Sequence, residues 1–247
     1  MSDLVLAERR GGAMHLILNR PDKLNSLNVE VFQALDGHVR ALQQGEATVV
    51  VLRGGGRCFS AGHDLGDIAT GEKLPEANYQ AKVIERLATL PMPVITAVHG
   101  HCYTGALELA LAGDLIIAAE SAKFADTHAK WALTPVWGLS QRLPRRVGTA
   151  KAREMMFTCR TYSGREAEAM GLVNTCIADN AFDAAIDALV AEIAANSSFS
   201  HAANKRLLDH TDGLPLPAGL AHEIYRGESV GPDMGARIAA FAQRARK

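Results

Sequence analysis

The sequence predicts an α/β fold followed by a helical segment at the C-terminal end. Two apolar runs, 48–52 and 94–98, are rich in β-branched residues, which is typical of strands buried in a sheet. Segments with the apolar spacing of amphipathic helices alternate with these runs, and strand–helix–strand order implies crossover connections. From residue 181 onward the spacing is helical almost throughout. These three observations indicate an α/β body with an appended helical segment.

The individual elements are short and are separated by turn residues. Asn28 is a suitable N-cap for the first long helix, in which Val31 and Leu35 lie on one face. Ser163 and Glu166 have the spacing of a capping box, which predicts a further short helix. The expected strands are 13–18, 48–52, 94–98 and 115–119, and the expected helices are 29–43, 78–90 and 105–112.

The composition is that of an ordinary globular protein of 247 residues. The 26 basic and 27 acidic residues leave a net charge of -1, which gives no reason to expect nucleic acid or an acidic membrane surface as the main partner. No secretory signal is visible in the first ten residues. The longest apolar run, 106–119, is interrupted by Glu108, Gly113 and Asp114, so no membrane span is expected.

Metal, disulfide and nucleotide sites are not expected from the sequence. The four cysteines form no CxxC pair, and their irregular spacing favours reduced thiols in a cytoplasmic protein. His99, His101 and Cys102 match no zinc pattern. The glycines at 54–56 lack the Gly-Lys-Ser/Thr of a phosphate-binding loop, and no GxGxxG motif follows a strand. We therefore predict no metal and no separate cofactor.

Two glycine-bearing loops, 58–65 and 99–109, each follow a predicted buried strand. Ligands of α/β sheets gather at the carboxyl ends of strands, so both loops are expected near a binding site. Glycine lets backbone N–H groups approach a ligand closely, and two such groups aimed at one point would form an oxyanion hole. A helix that begins at Gly105 would add the positive end of its dipole.

Five motifs follow one another along the chain, at Asn19–Asn25, Phe59–Leu65, His99–Leu115, Gln141–Gly148 and Arg165–Val173. Together they resemble the enoyl-CoA hydratase/isomerase family, the crotonase superfamily, over nearly the whole chain. The resemblance implies a crotonase-type ββα spiral core at 1–195 and a C-terminal helical trimerisation segment at 196–247, which form one functional unit. It also implies an acyl-CoA substrate that brings its own coenzyme A, a homotrimer or dimer of trimers, and no nucleic-acid or membrane partner.

The resemblance assigns the reaction to two backbone donors and a carboxylate. In the family two N–H groups polarise the thioester carbonyl, and the matching positions here are His63 and Gly105. Donors placed in advance stabilise the enolate-like oxyanion, and this role does not require the His63 side chain. Glu108 matches the first of two catalytic glutamates of the hydratases. Its apolar neighbours predict a desolvated carboxyl group with a raised pKa.

The second glutamate of the family's hydratases is missing from this chain. The stretch that follows Phe124 places His128 at its position, and on a strand Asp126 would lie on the same face. Three reactions remain open: hydration by Glu108 and His128, which we favour, double-bond isomerisation by Glu108 alone, and another enolate reaction such as decarboxylation. A catalytically weak acyl-CoA- or RNA-binding member of the fold is an alternative of a different class.

Substrate contacts are implied on both sides of the predicted reaction site. The indole rings would fill the acyl pocket and limit the length of the acyl group. The expected contacts are Ala61, Asp64, Leu65, Trp131, Pro135 and Trp137.

The phosphates of coenzyme A require cations, which the resemblance places near both ends of the chain. The expected contacts are Lys23, Phe241 and Arg244, with Arg20 and Arg57 as further candidates. A basic cluster is expected to be a solvated helix end, and it would be the phosphate or RNA contact in the binding alternative. The cluster consists of Arg142, Arg145 and Arg146.

Overall fold

The computed structural model describes residues 3–45 and 47–244, and it confirms the predicted alternation of strands and helices. The strands are β1 (Val5–Arg10), β2 (Ala13–Leu18), β3 (Val49–Gly54), β4 (Val94–Val98), β5 (His101–Tyr103), β6 (Leu115–Ala119), β7 (Lys123–Ala125), β8 (Tyr162–Ser163) and β9 (Thr175–Ile177). The α-helices are α1 (Val29–Leu42), α2 (Leu65–Thr70), α3 (Tyr79–Ala88), α4 (Gly105–Ala110), α5 (Leu139–Thr158), α6 (Gly164–Ala169), α7 (Phe182–Ala194), α8 (Ser198–Thr211), α9 (Leu216–Arg226) and α10 (Met234–Arg244). Short 3-10 helices occupy Pro21–Lys23, His128–Trp131 and Asp179–Ala181.

The strands of the described residues form two β-sheets. A six-stranded sheet has the order β1-β2-β3-β4-β6-β9, in which every neighbouring pair after β1–β2 is parallel. A three-stranded sheet has the order β5-β7-β8. The chain passes from the larger sheet to the smaller one and then into a helix, first through β4, β5 and α4 and then through β6, β7 and α5. This repeated passage is the expected ββα spiral.

The central strands are buried on both faces, which explains why their sequences are continuous apolar runs. Successive side chains of a strand point to opposite faces. Val50 and Leu52 of β3 accordingly belong to one hydrophobic cluster, which includes residues of α1 and α3. Val49 and Val51 belong to a second cluster, which includes residues of α7. The carboxyl ends of β3 and β4 are thereby fixed as a rigid platform for the loops that follow them.

The C-terminal helices contribute little to the core. Ser197 caps α8 by accepting a hydrogen bond from Ser200 N, so the boundary expected at 195/196 falls in the connection between α7 and α8. Ala203 is the buried residue of α8, whereas α9 and α10 have no buried residue among those described. Their apolar side chains are exposed, including Leu216, Leu220, Ile224, Ile238 and Phe241.

The observed helix ends differ from the expected ones by one or two residues, as is usual where the last turn tightens. The helix expected at 105–112 ends at Ala110 and continues as a turn, and the one expected at 78–90 spans Tyr79–Ala88. Over 3–45 and 47–244, no helix has the length and apolar character that crossing a membrane requires.

Candidate active site

Two backbone N–H groups without an acceptor meet at the start of α4. Leu27 N donates to Gly62 O (2.8 Å) and Asp64 N donates to Leu27 O (2.9 Å), so the intervening His63 N–H points away from Leu27. Gly105 is the first residue of α4, and its N–H has no partner within the helix. A Cβ atom at Gly105 would lie 3.2 Å from His63 N. Neither N–H donates a hydrogen bond within the described residues, so both are free to bind one oxygen atom.

Glu108 lies one turn into α4, and its two carboxylate oxygens have different neighbours. The residue is 1% exposed. Its Oε1 accepts hydrogen bonds from Trp137 N (2.9 Å) and Leu139 N (3.1 Å), which hold the carboxylate in place. Its Oε2 remains available for chemistry. Burial disfavours the charged form and raises the pKa of Glu108 above the ordinary glutamate value, although both N–H donors oppose this shift.

His128 faces Glu108 with one ring nitrogen and Asp126 with the other. Its Nδ1 lies 2.6 Å from Asp126 Oδ1, and its Nε2 lies 3.7 Å from Glu108 Oε2. A carboxylate on Nδ1 fixes the ring and leaves Nε2 toward the site. All three side chains are buried. The imidazole thus lies between two carboxyl groups, an arrangement that can hold and transfer a proton.

The expectation that Asp126 and His128 share a face of a strand is wrong. The strand β7 ends at Ala125, and His128 begins a 3-10 helix. The two side chains still meet, because Asp126 Oδ1 accepts from His128 N (3.2 Å) in a tight turn as well as contacting the ring.

A cavity of about 260 Å³ adjoins His63 and His128, whereas Gly105 and Glu108 are not among its lining residues. Of the residues expected from the sequence, it is lined by Ala61, His63, Leu65, His128 and Trp131. Further lining residues that the sequence did not indicate are Ile68, Tyr103, Thr104, Thr127, Lys130 and Leu133. Pro135 is half-buried and does not line it. Trp131 lines the cavity and is 55% exposed.

Trp137 does not line this cavity, and its predicted contact with the acyl group stays a prediction. It is 4% exposed and packs edge-on against Phe32 of α1, with ring centroids 4.9 Å apart. Its ring also lies 4.5 Å from that of His63. The Trp137 ring fills the space next to Gly105, and its backbone N–H holds Glu108. Trp137 therefore helps to position Gly105 and Glu108.

Asp64, which the sequence predicts as a substrate contact, also makes contacts within the chain. Its carboxylate accepts hydrogen bonds from Ser26 Oγ (2.9 Å) and from Gly66 N (3.1 Å) at the start of α2, and it pairs with Arg20 (3.3 Å). These partners lower the pKa of Asp64, opposing the effect of burial. Asp64 and Arg20 thus fix the loop that carries His63.

Glu72 adjoins the site, although no sequence pattern indicates it. Its Oε2 lies 2.9 Å from His63 Nε2 without the alignment of a hydrogen bond, and it accepts from Gln80 Nε2 of α3 (3.0 Å). Because Glu72 belongs to the irregular segment between α2 and α3, only the folded chain brings it to the His63 ring.

The cations expected to bind coenzyme A lie outside the cavity. Lys23 and Arg57 are exposed, and neither lines the cavity. Phe241 (75% exposed) and Arg244 lie on α10, also away from the cavity in this chain.

The basic cluster is engaged in internal contacts. Arg142 bonds Trp137 O and Glu85, and Arg145 bonds Asp212. The third arginine, Arg146, donates to the backbone carbonyls of residues 113 and 114. The three guanidinium groups are thus tied into the packing of α5. No group of three possible metal ligands occurs between residues 3 and 244, Glu46 left aside.

Comparison with known proteins gives consistent results. A family model described as Enoyl-CoA hydratase/isomerase matches residues 8–231. The probable enoyl-CoA hydratase of Rhodobacter capsulatus is 34% identical over 86% of this chain and 83% of that protein. The 1,2-epoxyphenylacetyl-CoA isomerase of Escherichia coli is 30% identical over 98% of this chain and 96% of that protein. The crystal structure of an enoyl-CoA hydratase from Bacillus anthracis has a TM-score of 0.90 at 29% identity, covering 98% and 97% of the two chains.

Proposed function

Because the chain belongs to the enoyl-CoA hydratase/isomerase family and has its crotonase fold, we propose that it hydrates 2-enoyl-CoA thioesters. The observation that carries this proposal is the facing pair of Glu108 Oε2 and His128 Nε2, 3.7 Å apart, one turn from two unpaired N–H donors. Hydration needs one group that takes a proton from water and another that gives a proton to Cα. The pair supplies both.

The reaction begins when the thioester oxygen accepts hydrogen bonds from the N–H groups of His63 and Gly105. Glu108 Oε2 takes a proton from water while the water oxygen bonds to Cβ, and the electron pair of the double bond moves toward the thioester oxygen. The two N–H donors stabilise that developing charge. His128 starts the reaction as the imidazolium between two carboxylates, with its Nδ1–H donated to Asp126, and it then gives its Nε2 proton to Cα and is left as the neutral imidazole. Transfer of the proton from Glu108 to His128 restores the starting state.

The experiment that tests this proposal is incubation with crotonyl-CoA while the absorbance of the conjugated enoyl thioester is followed. We expect its loss and the appearance of 3-hydroxybutyryl-CoA. If the absorbance persists while the protein binds acyl-CoA, the hydratase proposal is wrong.

Double-bond isomerisation is the second candidate. It is favoured by the two backbone hydrogen bonds that hold Glu108 in place, because this reaction needs a single carboxylate. A single carboxylate can remove the α-proton of a 3-enoyl-CoA and return it to Cγ, with the same oxyanion in between. The same assay with a 3-enoyl-CoA measures a gain of conjugated absorbance. A gain here together with no change on crotonyl-CoA would select isomerisation.

Gly105→Ala is expected to lower kcat/KM for crotonyl-CoA by about 100-fold, because the methyl group would enter the oxyanion site. The added Cβ would lie 2.6 Å from Cζ3 of the packed Trp137 ring and 3.2 Å from His63 N. The control is Gly37→Ala in α1, where nothing lies within 4 Å of the added Cβ. That control should keep full activity, and unchanged kinetics in Gly105→Ala would remove Gly105 from the oxyanion site.

We also propose that the chain forms a homotrimer, alone or as a dimer of trimers, through the helices α9 and α10. Leu216, Leu220 and Ile224 recur every four residues and form an apolar stripe on α9. Ile238 and Phe241 form a second stripe on α10, and all five side chains are exposed. A second copy would bury these stripes and could bring Phe241 and Arg244 to a neighbouring coenzyme A.

Sedimentation equilibrium tests this assembly. We expect a particle of three or six chains, and we expect Ile224→Asp to shift it toward single chains because the new charge would be buried at the interface. A single-chain mass for the unaltered protein would contradict the assembly.

We propose a cytoplasmic location and a role in fatty acid metabolism. The location is supported by the free and buried state of all four cysteines, which suits a reducing compartment. The role follows from the proposed substrate class.

A further inference from the structure

Thr104 has a backbone conformation that a threonine rarely adopts. It has φ 52° and ψ −108°, and it is the residue directly before Gly105. Positive φ is unusual outside glycine, and a β-branched residue there is a clear outlier. Such strain persists where the surroundings over-determine it, and it concentrates at functional sites.

The torsion ψ of Thr104 sets the direction of the Gly105 N–H. The peptide group between residues 104 and 105 contains that N–H, so rotation about ψ swings the donor out of the oxyanion site. Gly62 packs closely against this segment, since a Cβ atom at Gly62 would lie 2.5 Å from Tyr103 O. The strained conformation is therefore the one in which Gly105 N and His63 N converge.

The Thr104 side chain supplies the contacts that hold this conformation. Its Oγ1 lies 2.5 Å from Thr127 Oγ1 and accepts a hydrogen bond from Thr127 N (3.0 Å). Its backbone N–H donates to Ala125 O (2.8 Å) at the end of β7. Thr127 stands between Asp126 and His128, so the same contacts join the oxyanion loop to the acid–base segment.

We infer that the Thr104–Thr127 hydroxyl pair is a positioning device that aims the Gly105 N–H and keeps the oxyanion hole in register with His128. The inference rests on the proposed function and adds two positioning residues to it. Neither hydroxyl is assigned to the reacting atoms. The pair acts through Gly105 on one side and through His128 on the other.

The variants that test the pair remove one hydroxyl and keep the side-chain shape. Thr104→Val should lower kcat for crotonyl-CoA about tenfold with little change in KM, because a misaimed donor weakens stabilisation of the transition state more than binding. Thr127→Val should act similarly, and the double variant should lose little more than either single one. Thr104→Ser should recover most of the activity, because it restores the hydroxyl.

A binding readout separates this inference from the proposed function. Acetoacetyl-CoA can bind as its enolate, which absorbs in the near ultraviolet and carries its charge on the oxygen that the oxyanion hole would hold. We expect Thr104→Val to reduce the enolate signal at saturation about tenfold, in line with kcat. The control is Thr48→Val, which loses a hydroxyl contact to Gly12 O at the opposite end of β3 and should keep the signal.

The outcomes are distinct. An enolate signal in the unaltered protein without crotonyl-CoA turnover would contradict hydration, while loss of that signal in Thr104→Val would still support the positioning pair. Equal signals in Thr104→Val and Thr48→Val, or no enolate in the unaltered protein, would overturn the pair. Thermal unfolding of each variant distinguishes a misfolded chain, and Thr127→Val provides the second test should Thr104→Val fail to fold.

Discussion

Glu108→Gln is expected to lower kcat/KM for crotonyl-CoA by about 10⁴-fold, the upper range for loss of a general base. The substitution keeps Oε1 as acceptor for Trp137 N and Leu139 N, so the side chain should stay in place. It removes the carboxylate Oε2 that faces His128. Steady-state kinetics measures the loss, and Glu192→Gln on the exposed surface of α7 is the matched control. Comparable activity in both variants would contradict a catalytic Glu108.

The same variant should change how activity and stability depend on pH. Burial raises the pKa of Glu108 above the usual 4.5, so the base form is reached only at higher pH and the acid limb of kcat/KM should shift upward. The folded state binds the proton more tightly than the unfolded state. The free energy of unfolding should therefore fall as pH rises from 4.5 through the raised pKa. Glu108→Gln should abolish this fall, and its free energy of unfolding near neutral pH should be no lower than that of the unaltered protein.

His128→Ala is expected to lower hydration of crotonyl-CoA by about 10³-fold, because it removes the proton donor that faces Glu108 Oε2 and protonates Cα in the proposed reaction. Isomerisation of a 3-enoyl-CoA needs only Glu108 and should fall by less than about tenfold. Asp126→Asn should reduce hydration to an intermediate degree, since it frees the ring that Asp126 holds at Nδ1. The two assays run side by side on each variant give the measurement. Equal losses in both assays would show that His128 supports the site without acting as the second proton donor.

The fold could be predicted from local patterns because each pattern has a local cause. The runs at β3 and β4 are continuous and apolar since both faces of these strands are covered, and Asn28 caps α1 through Val31 N as expected. The site positions could be predicted because loops at the ends of those strands carry the motifs. These parts depend on neighbours close in sequence or on a shared pattern.

The rest of the site depends on contacts between residues far apart in the sequence, and some of these involve backbone groups that every residue type except proline has. Glu108 is held by backbone N–H groups of Trp137 and Leu139, which leave no signature in the sequence. The Trp137 ring packs against Phe32, which lies more than a hundred positions earlier in the sequence. The sequence shows only that Trp137 is next to Gly138, and this suggested a pocket wall. Glu72 reaches His63 through an irregular segment. Spacing along the chain cannot reveal such contacts.

In the proposed reaction, one oxyanion site and the Glu108–His128 pair act on the same acyl group. A crystal structure of Glu108→Gln with 3-hydroxybutyryl-CoA tests it most directly. We predict that the thioester oxygen lies within hydrogen-bond distance of His63 N and Gly105 N, that the 3-hydroxyl group contacts residue 108, and that Cα faces His128 Nε2. A thioester oxygen bound elsewhere, a 3-hydroxyl group remote from residue 108, or a Cα remote from His128 would contradict this arrangement.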